Sequence, residues 1–316
     1  MKSKSVVAGL IGITGWFFTM TVQAETIQES LQAKEKVIIS TVSGNCVIKT
    51  AKKDKIEVTV VAEIDPKDAF EPRFEERSGY IRLSERWRGN SSGEVNWTIV
   101  VPAETEIEYK TASGDLHVSG LNQTLEGSSA SGDIEVENCS GELDISCASG
   151  DITILNFKGE LDLSTASGDI RVENAQGEFK ISTASGNIEV NTSSGEFDIS
   201  TASGDADFTK ITLNADSEFS TASGNIVLLL TKSTENDLDL SCASGSVELN
   251  FNGNSPQGLI ECCVQKRRGR IISTFTFDKE EEYTENGELY VRKLMKRGGE
   301  SPCIQLSAAS GKVVLK

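Results

Sequence analysis

Residues 159–176 read Gly-Glu-Leu-Asp-Leu-Ser-Thr-Ala-Ser-Gly-Asp-Ile-Arg-Val-Glu-Asn-Ala-Gln. Apolar and polar residues alternate in two short runs, Leu161/Leu163 and Ile170/Val172. That period of two is the mark of half-buried strands. Between the runs, Ala166-Ser167-Gly168-Asp169 is turn chemistry: small residues, a glycine for an unusual backbone angle, and an aspartate whose side chain can bond nearby backbone. The same places are filled by Leu143/Ile145 with Ile152/Ile154, by Phe179/Ile181 with Ile188/Val190, and by Phe197/Ile199 with Ala206/Phe208.

Working outward, the Ala-Ser-Gly turn recurs at Ala112, Ala130, Ala148, Ala166, Ala184 and Ala202, 18 residues apart each time, and again at Ala222, Ala243 and Ala309. A fixed period means one unit stacked on copies of itself. A single unit has too few inward side chains to offset the entropy of ordering its backbone. Stacking supplies the rest, because each strand hydrogen-bonds to its equivalents above and below while the inward rows merge into one core. The expected fold is therefore all-β: a parallel β-solenoid, β-helix-like, of about 18-residue coils. A meander of hairpins is disfavoured because its loops are free to vary in length. A left-handed hexapeptide helix is disfavoured because its aliphatics recur every sixth residue, whereas here they come as i, i+2 pairs. Spacing leaves open whether the coil has two faces or three, and its hand.

The ends depart from the period. Residues 1–24 read as a signal peptide: Lys2 and Lys4, an apolar run from Val6 to Val22, and small residues before a cut after Ala24. An uncleaved anchor is the alternative. Residues 25–110 carry strand-like runs without strict period and are expected to cap the solenoid; within them Val42-Ser43-Gly44-Asn45 is a degenerate, out-of-period copy of the turn. Residues 111–250 are the regular repeats, and residues 251–316 make a longer β excursion before Ala309-Ser310-Gly311 closes the series. The expectation is one continuous domain over 25–316 with irregular β caps at both ends, since exposed strand edges invite pairing with other chains.

The runs "VPAETEIEYKTASGDLHVSG", "SASGDIEV", "CASGDITI", "TASGDIRV" and the closing "GGESPCIQLSAASGKVVL" resemble the putative-adhesin family, a domain of unknown function built of β-strand repeats. The resemblance covers nearly all of the chain after the leader. It implies a β-solenoid of the cell envelope or surface, with "adhesin" itself a label by analogy. It supplies no catalytic residues.

Charge is distributed unevenly. The chain holds 31 Lys and Arg against 48 Asp and Glu, and residues 111–250 alone hold 24 acids against five bases. Such a body repels nucleic acid and anionic membranes and favours cations or basic partners. Stacked coils line up Glu126, Asp144, Asp162, Asp198 and Asp239 in one column broken by Lys180. They line up Asp115, Asp133, Asp151, Asp169 and Asp205 in another, relieved by Asn187 and Asn225. Asp133, Asp151 and Asp169 are the candidates for weak, non-specific divalent-cation binding, since calcium prefers oxygen ligands. Solvated faces and turn-capping aspartates are the plainer reading, and no cofactor is expected.

Two basic clusters oppose this body: Lys266, Arg267, Arg268 and Arg270, then Arg292, Lys293, Lys296 and Arg297. They form a candidate docking patch for anionic lipid, lipopolysaccharide or an acidic protein face. The alternative is a solvated hairpin neutralised by Asp278, Glu280, Glu281 and Glu282. His117 is the sole histidine, and its apolar neighbours Leu116 and Val118 turn it towards solvent, which leaves no base for a Ser-His-Asp or Cys-His site. Of seven cysteines, Cys147 and Cys242 replace the corner threonine and read as buried thiols, about 24 Å apart if five coils separate them. Any disulfide is expected to join Cys303 to Cys262 or Cys263.

The resulting reading is a non-catalytic, exported interaction scaffold of the periplasm, outer surface or medium. Its partner is an envelope or surface component, protein or glycan, and no span crosses a bilayer once the leader is removed. A carbohydrate-active β-helix enzyme and a structural or envelope-stress accessory protein are the alternatives.

Overall fold

The computed structural model describes residues 24–316, so the expected leader lies outside the described residues apart from Ala24. Among them there is no α-helix; 25 strands and a single 3-10 turn at Lys67–Ala69 make up the regular structure. No described helix is long and apolar enough to cross a membrane. The chain forms two compact units divided between Glu142 and Leu143.

In the unit from Leu143 to Lys316 the 18-residue period becomes stacking. Ile152 is register partner to Ile170, and Ile170 to Ile188, and the file continues through Ala206, Ile226 and Val247. On another row Leu161, Phe179 and Phe197 are consecutive partners, and the Phe179 and Phe197 rings stack at 4.5 Å. These side chains are almost wholly buried. A coil tolerates extra residues only at a corner. Two extra residues enter in the turn after Leu213 and two in the turn after Leu230, while Ile226–Leu230 lacks a counterpart of Lys210, so that Thr209 pairs with Leu229 but Ile211 with Leu230. The core rows therefore stay in file although the turn-to-turn distance grows from 18 to 20 and 21 residues.

Three kinds of corner bend each coil. The Ala-Ser-Gly turn is the first. The second is a residue with left-handed backbone: Asn156 (φ 55°), Asn174 (56°), Thr192 (50°) and Lys210 (59°) occupy equivalent places. Asparagine suits that region because its short amide can bond locally, and here Asn174 Nδ2 donates to Asn156 Oδ1 of the preceding coil at 2.6 Å. The third is a glycine with φ near 145°. A Cβ at Gly177 would lie 1.8 Å from the carbonyl oxygen of Gly159, so the backbones of successive coils approach too closely for any side chain.

The closing repeat is not at the tip of this unit. Strand Cys303–Leu315 lies parallel between two other coils. On one side are Leu238–Ser244 and Val247–Asn250, and on the other Gly258–Gln265 and Gly269–Ser273. Glu288–Arg297 then pairs antiparallel with Gly258–Gln265, and Lys279–Glu285 with Glu288–Arg297, as a β cap.

The unit ending at Glu142 uses the same device at its start. Lys36–Ser40 lies parallel between Tyr80–Trp87 and Glu106–Thr111, and Cys46–Thr50 between Ser92–Val101 and Leu116–Ser119. The degenerate Ser43-Gly44-Asn45 turn is thus a genuine coil corner: the Asp115 amide donates to Asn45 Oδ1 at 3.0 Å across 70 residues of sequence. It is out of period along the chain and in register in space. The intervening residues supply the cap, with Lys55–Asp65 antiparallel to Ser92–Val101, Glu25–Gln32 antiparallel to Lys55–Asp65, and Phe70–Glu76 antiparallel to Tyr80–Trp87.

No disulfide joins Cys303 to Cys262 or Cys263, and all seven cysteines are free. Register is the reason. Cys303 lies beside Leu259, whereas Cys262 lies beside Leu306 and Cys263 beside Ser307. A displacement of three residues is about 10 Å along a strand, beyond disulfide reach. Cys147 and Cys242 are buried corner thiols, and Cys242 Sγ donates to the Gly224 carbonyl as the corner threonines do to theirs.

Candidate interaction surface

The residue after each turn glycine points outward, and its side chain is tied to the coil beside it. The Asp169 amide donates to Asp151 Oδ1 at 2.8 Å, the Asn187 amide to Asp169 Oδ1 at 2.7 Å, and the Asp205 amide to Asn187 Oδ1 at 3.0 Å. The Asn225 and Ser246 amides continue the ladder onto Asp205 and Asn225, at 2.8 and 3.0 Å. In the other unit the Asp133 amide donates to Asp115 Oδ1 at 3.0 Å. A short side chain ending in an acceptor is required at each step, which explains Asp and Asn at this position. Of the three cation candidates, Asp151 and Asp169 are thus capping groups. No cluster of His, Cys, Asp or Glu with metal-binding geometry occurs among the described residues.

The ladder's composition changes along the unit. Beyond Ser246 the same place is held by Lys312, which is followed by Arg270. The column therefore begins with aspartate, passes through asparagine and serine, and ends with lysine and arginine. Where the regular coils turn through Ala-Ser-Gly, the outermost coil turns through Gln265-Lys266-Arg267-Arg268-Gly269.

The eight basic candidates separate into two groups. Lys266 meets Glu282 at 2.5 Å, Lys293 meets Glu280 at 3.0 Å, Lys296 meets Glu300 at 2.9 Å, and Arg297 meets Asp278 at 3.1 Å. Arg292 bridges Glu281 and Glu261, and Lys279 together with Arg292 holds the Glu281 carboxyl below the usual range. Among the described residues Arg267, Arg268 and Arg270 make no ion pair, and neither does Lys312. Local neutralisation thus applies to the hairpin, whereas the turn and its neighbour keep their charge.

In the unit from Leu143 to Lys316 the other acidic column runs Asp162, Lys180, Asp198, Glu218 and Asp239, one residue more than expected. Glu218 fills the place between Asp198 and Asp239, and Lys180 contacts Asp162 at 2.9 Å. Counting back three residues from Thr221, as Asp198 is counted from Thr201, would have found it. Glu196, Asp198, Asp216, Glu218, Asp237 and Asp239 surround an open hollow of about 420 Å³. Its floor is already engaged, since the Cys303 amide donates to Asp237 Oδ1 at 2.7 Å and the Asp237 amide to Asp216 Oδ1 at 2.9 Å. Burial and the nearby Glu218 push the Asp239 carboxyl up.

His117 is half-buried with Nδ1 3.1 Å from Glu135, and no nucleophile joins it. The group that sequence reading missed is Glu85. Its carboxylate accepts hydrogen bonds from Trp97 Nε1 at 2.9 Å, Trp87 Nε1 at 3.0 Å and the Val42 amide at 2.8 Å. Burial raises its pKa, and those three donors oppose the rise. The indoles of Trp87 and Trp97 thus serve this carboxylate.

Stacked coils, a turn-capping ladder and antiparallel caps define a parallel β-solenoid repeat protein. The family model described as Toastrack DUF4097 matches residues 34–260, and the chain belongs to that family. No curated protein matches the chain. Three solved structures are similar over most of their length. A protein described as a "putative cell adhesion protein" from Clostridium sporogenes is 10% identical, covering 92% of this chain and 98% of that one, with a TM-score of 0.22. A "putative lipid binding protein" from Parabacteroides distasonis is 10% identical, at 93% and 96% coverage and a TM-score of 0.36. A "putative adhesin" from Bacteroides fragilis is 12% identical, at 93% and 97% coverage and a TM-score of 0.34.

Proposed function

We propose that the protein is a non-catalytic, exported interaction scaffold of the cell envelope or surface, as its family resemblance implies, and that it docks its partner through the basic corner. The observation that carries this reading is local. In the coil where the repeat abandons Ala-Ser-Gly-Asp it substitutes Lys266-Arg267-Arg268-Gly269-Arg270, and three of those cations have no acid to neutralise them. Charges held at a turn that no intramolecular partner uses are suited to an anionic surface component, protein or glycan. The apolar leader at residues 1–24 supports export. The even spread of carboxylates, without a distinguished pair, supports a binding role over glycan cleavage.

The test uses the full chain and a variant carrying Arg267→Glu, Arg268→Glu and Arg270→Glu. Mass spectrometry of envelope fractions retained on each is expected to find an anionic component held by the first and lost by the second. Equal retention by both would remove the corner from the reading. Turnover of an acidic or neutral glycan would replace the scaffold with an enzyme.

A further inference from the structure

Resting on that reading of the basic corner, we infer that one partner of the corner is a second copy of this chain, paired antiparallel along the ladder column. The column is self-complementary when reversed. Within the unit from Leu143 to Lys316 it runs in stacking order from Asp151 and Asp169 to Lys312 and Arg270, eight coils in all. At about 4.8 Å per coil the line is about 34 Å long. A twofold axis between the coils of Asp205 and Asn225 sets Arg270 of one copy opposite Asp151 of the other, and Lys312 opposite Asp169. The inner positions then match Ser246 with Asn187, and Asn225 with Asp205. At both ends charge meets opposite charge, and the inner positions, Asp205 opposite Asn225 included, each meet a group they can hydrogen-bond. Parallel pairing would instead set like charges together.

Three further features favour this contact. All eight side chains are at least partly exposed. The ladder hydrogen bonds use a carboxylate oxygen through a backbone amide, which leaves each aspartate's charge on the surface. The adjoining strip is made of small residues such as Ala166, Ala184 and Ala202 along a shallow groove, so another backbone can come close. Isologous pairing is the commonest symmetry of soluble dimers, and a strip this narrow falls at the weak end of specific interfaces. The association is therefore reversible and salt-sensitive.

Sedimentation equilibrium of the full chain at low ionic strength is expected to show a monomer–dimer equilibrium that dissociates at about 1 M salt, where charges are screened beyond about 3 Å. Arg270→Asp alone, or Asp151→Arg alone, should weaken dimerisation by roughly tenfold or more. Together in one chain the two substitutions restore both cross-pairs and should return the affinity to within roughly threefold of the original. A chain that stays monomeric at low salt, or a double variant no better than the single ones, overturns the inference. So does binding of Arg270-dependent anionic lipid vesicles by a chain that never self-associates. Retention of an envelope component by that monomeric chain would leave the docking reading standing, so the two failures are distinguishable.

Discussion

Glu85 shows how one side chain can hold a cap together. Two indole N–H groups, from Trp87 on the same strand and Trp97 on another, and the backbone amide of Val42 converge on its carboxylate. Glu85→Ala leaves those three donors unpaired and should destabilise the unit ending at Glu142 by about 1 to 3 kcal/mol, read by denaturant unfolding. The pH dependence follows from the raised carboxyl. A carboxyl that holds its proton more tightly folded than unfolded adds stability below the ordinary glutamate range, and this contribution disappears as pH rises through the folded value. The fluorescence of Trp87 and Trp97 should therefore titrate with a midpoint above that of an ordinary glutamate, and Glu85→Gln should abolish the transition. The group was not legible in the sequence, because Trp97 and the Val42 amide reach it only through pairings that a one-dimensional pattern does not contain.

At the scale of the strand, inward and outward positions alternate, and the cysteines test the assignment. Cys46, Cys139, Cys147, Cys242 and Cys262 are buried, whereas Cys263 and Cys303 are partly exposed. Burial pushes the Cys262 thiol up to about 12, so it is protonated as well as inaccessible. Native protein treated with a thiol reagent should label quickly only at Cys263 and Cys303, and at all seven after unfolding; mass spectrometry of labelled peptides would read this. The regular strands were legible in the sequence because Ile152, Ile170 and Ile188 recur at one spacing, and register turns that spacing directly into stacking. Insertion order was not legible. Nothing in residues 303–315 announces that they sit inside the stack, since a repeat motif records what a coil needs from its neighbours and not which neighbours it has. The basic corner was half legible: the cations were visible as a cluster, but which of them have acids within reach depends on the antiparallel hairpin.

For each unit as a whole, stability resides in coil-on-coil contacts and little in any coil alone. Removing one complete coil, residues 170–187, would bring Ile152 onto Ile188 and Asp169 onto Asp205 with every row still in file. Circular dichroism should keep its β signature, and the melting temperature should fall only modestly. Removing nine residues instead sets strands against turns and should abolish cooperative melting.

The coil built from Cys303–Leu315 slots between two that precede it in sequence, so its place must stay open, or be reopened, until those residues have been synthesised. Cutting the chain before Cys303 would accordingly leave not a shorter stack but one with a missing middle layer, two unsatisfied sheet edges facing each other across the gap. For this protein a late stop is an internal lesion.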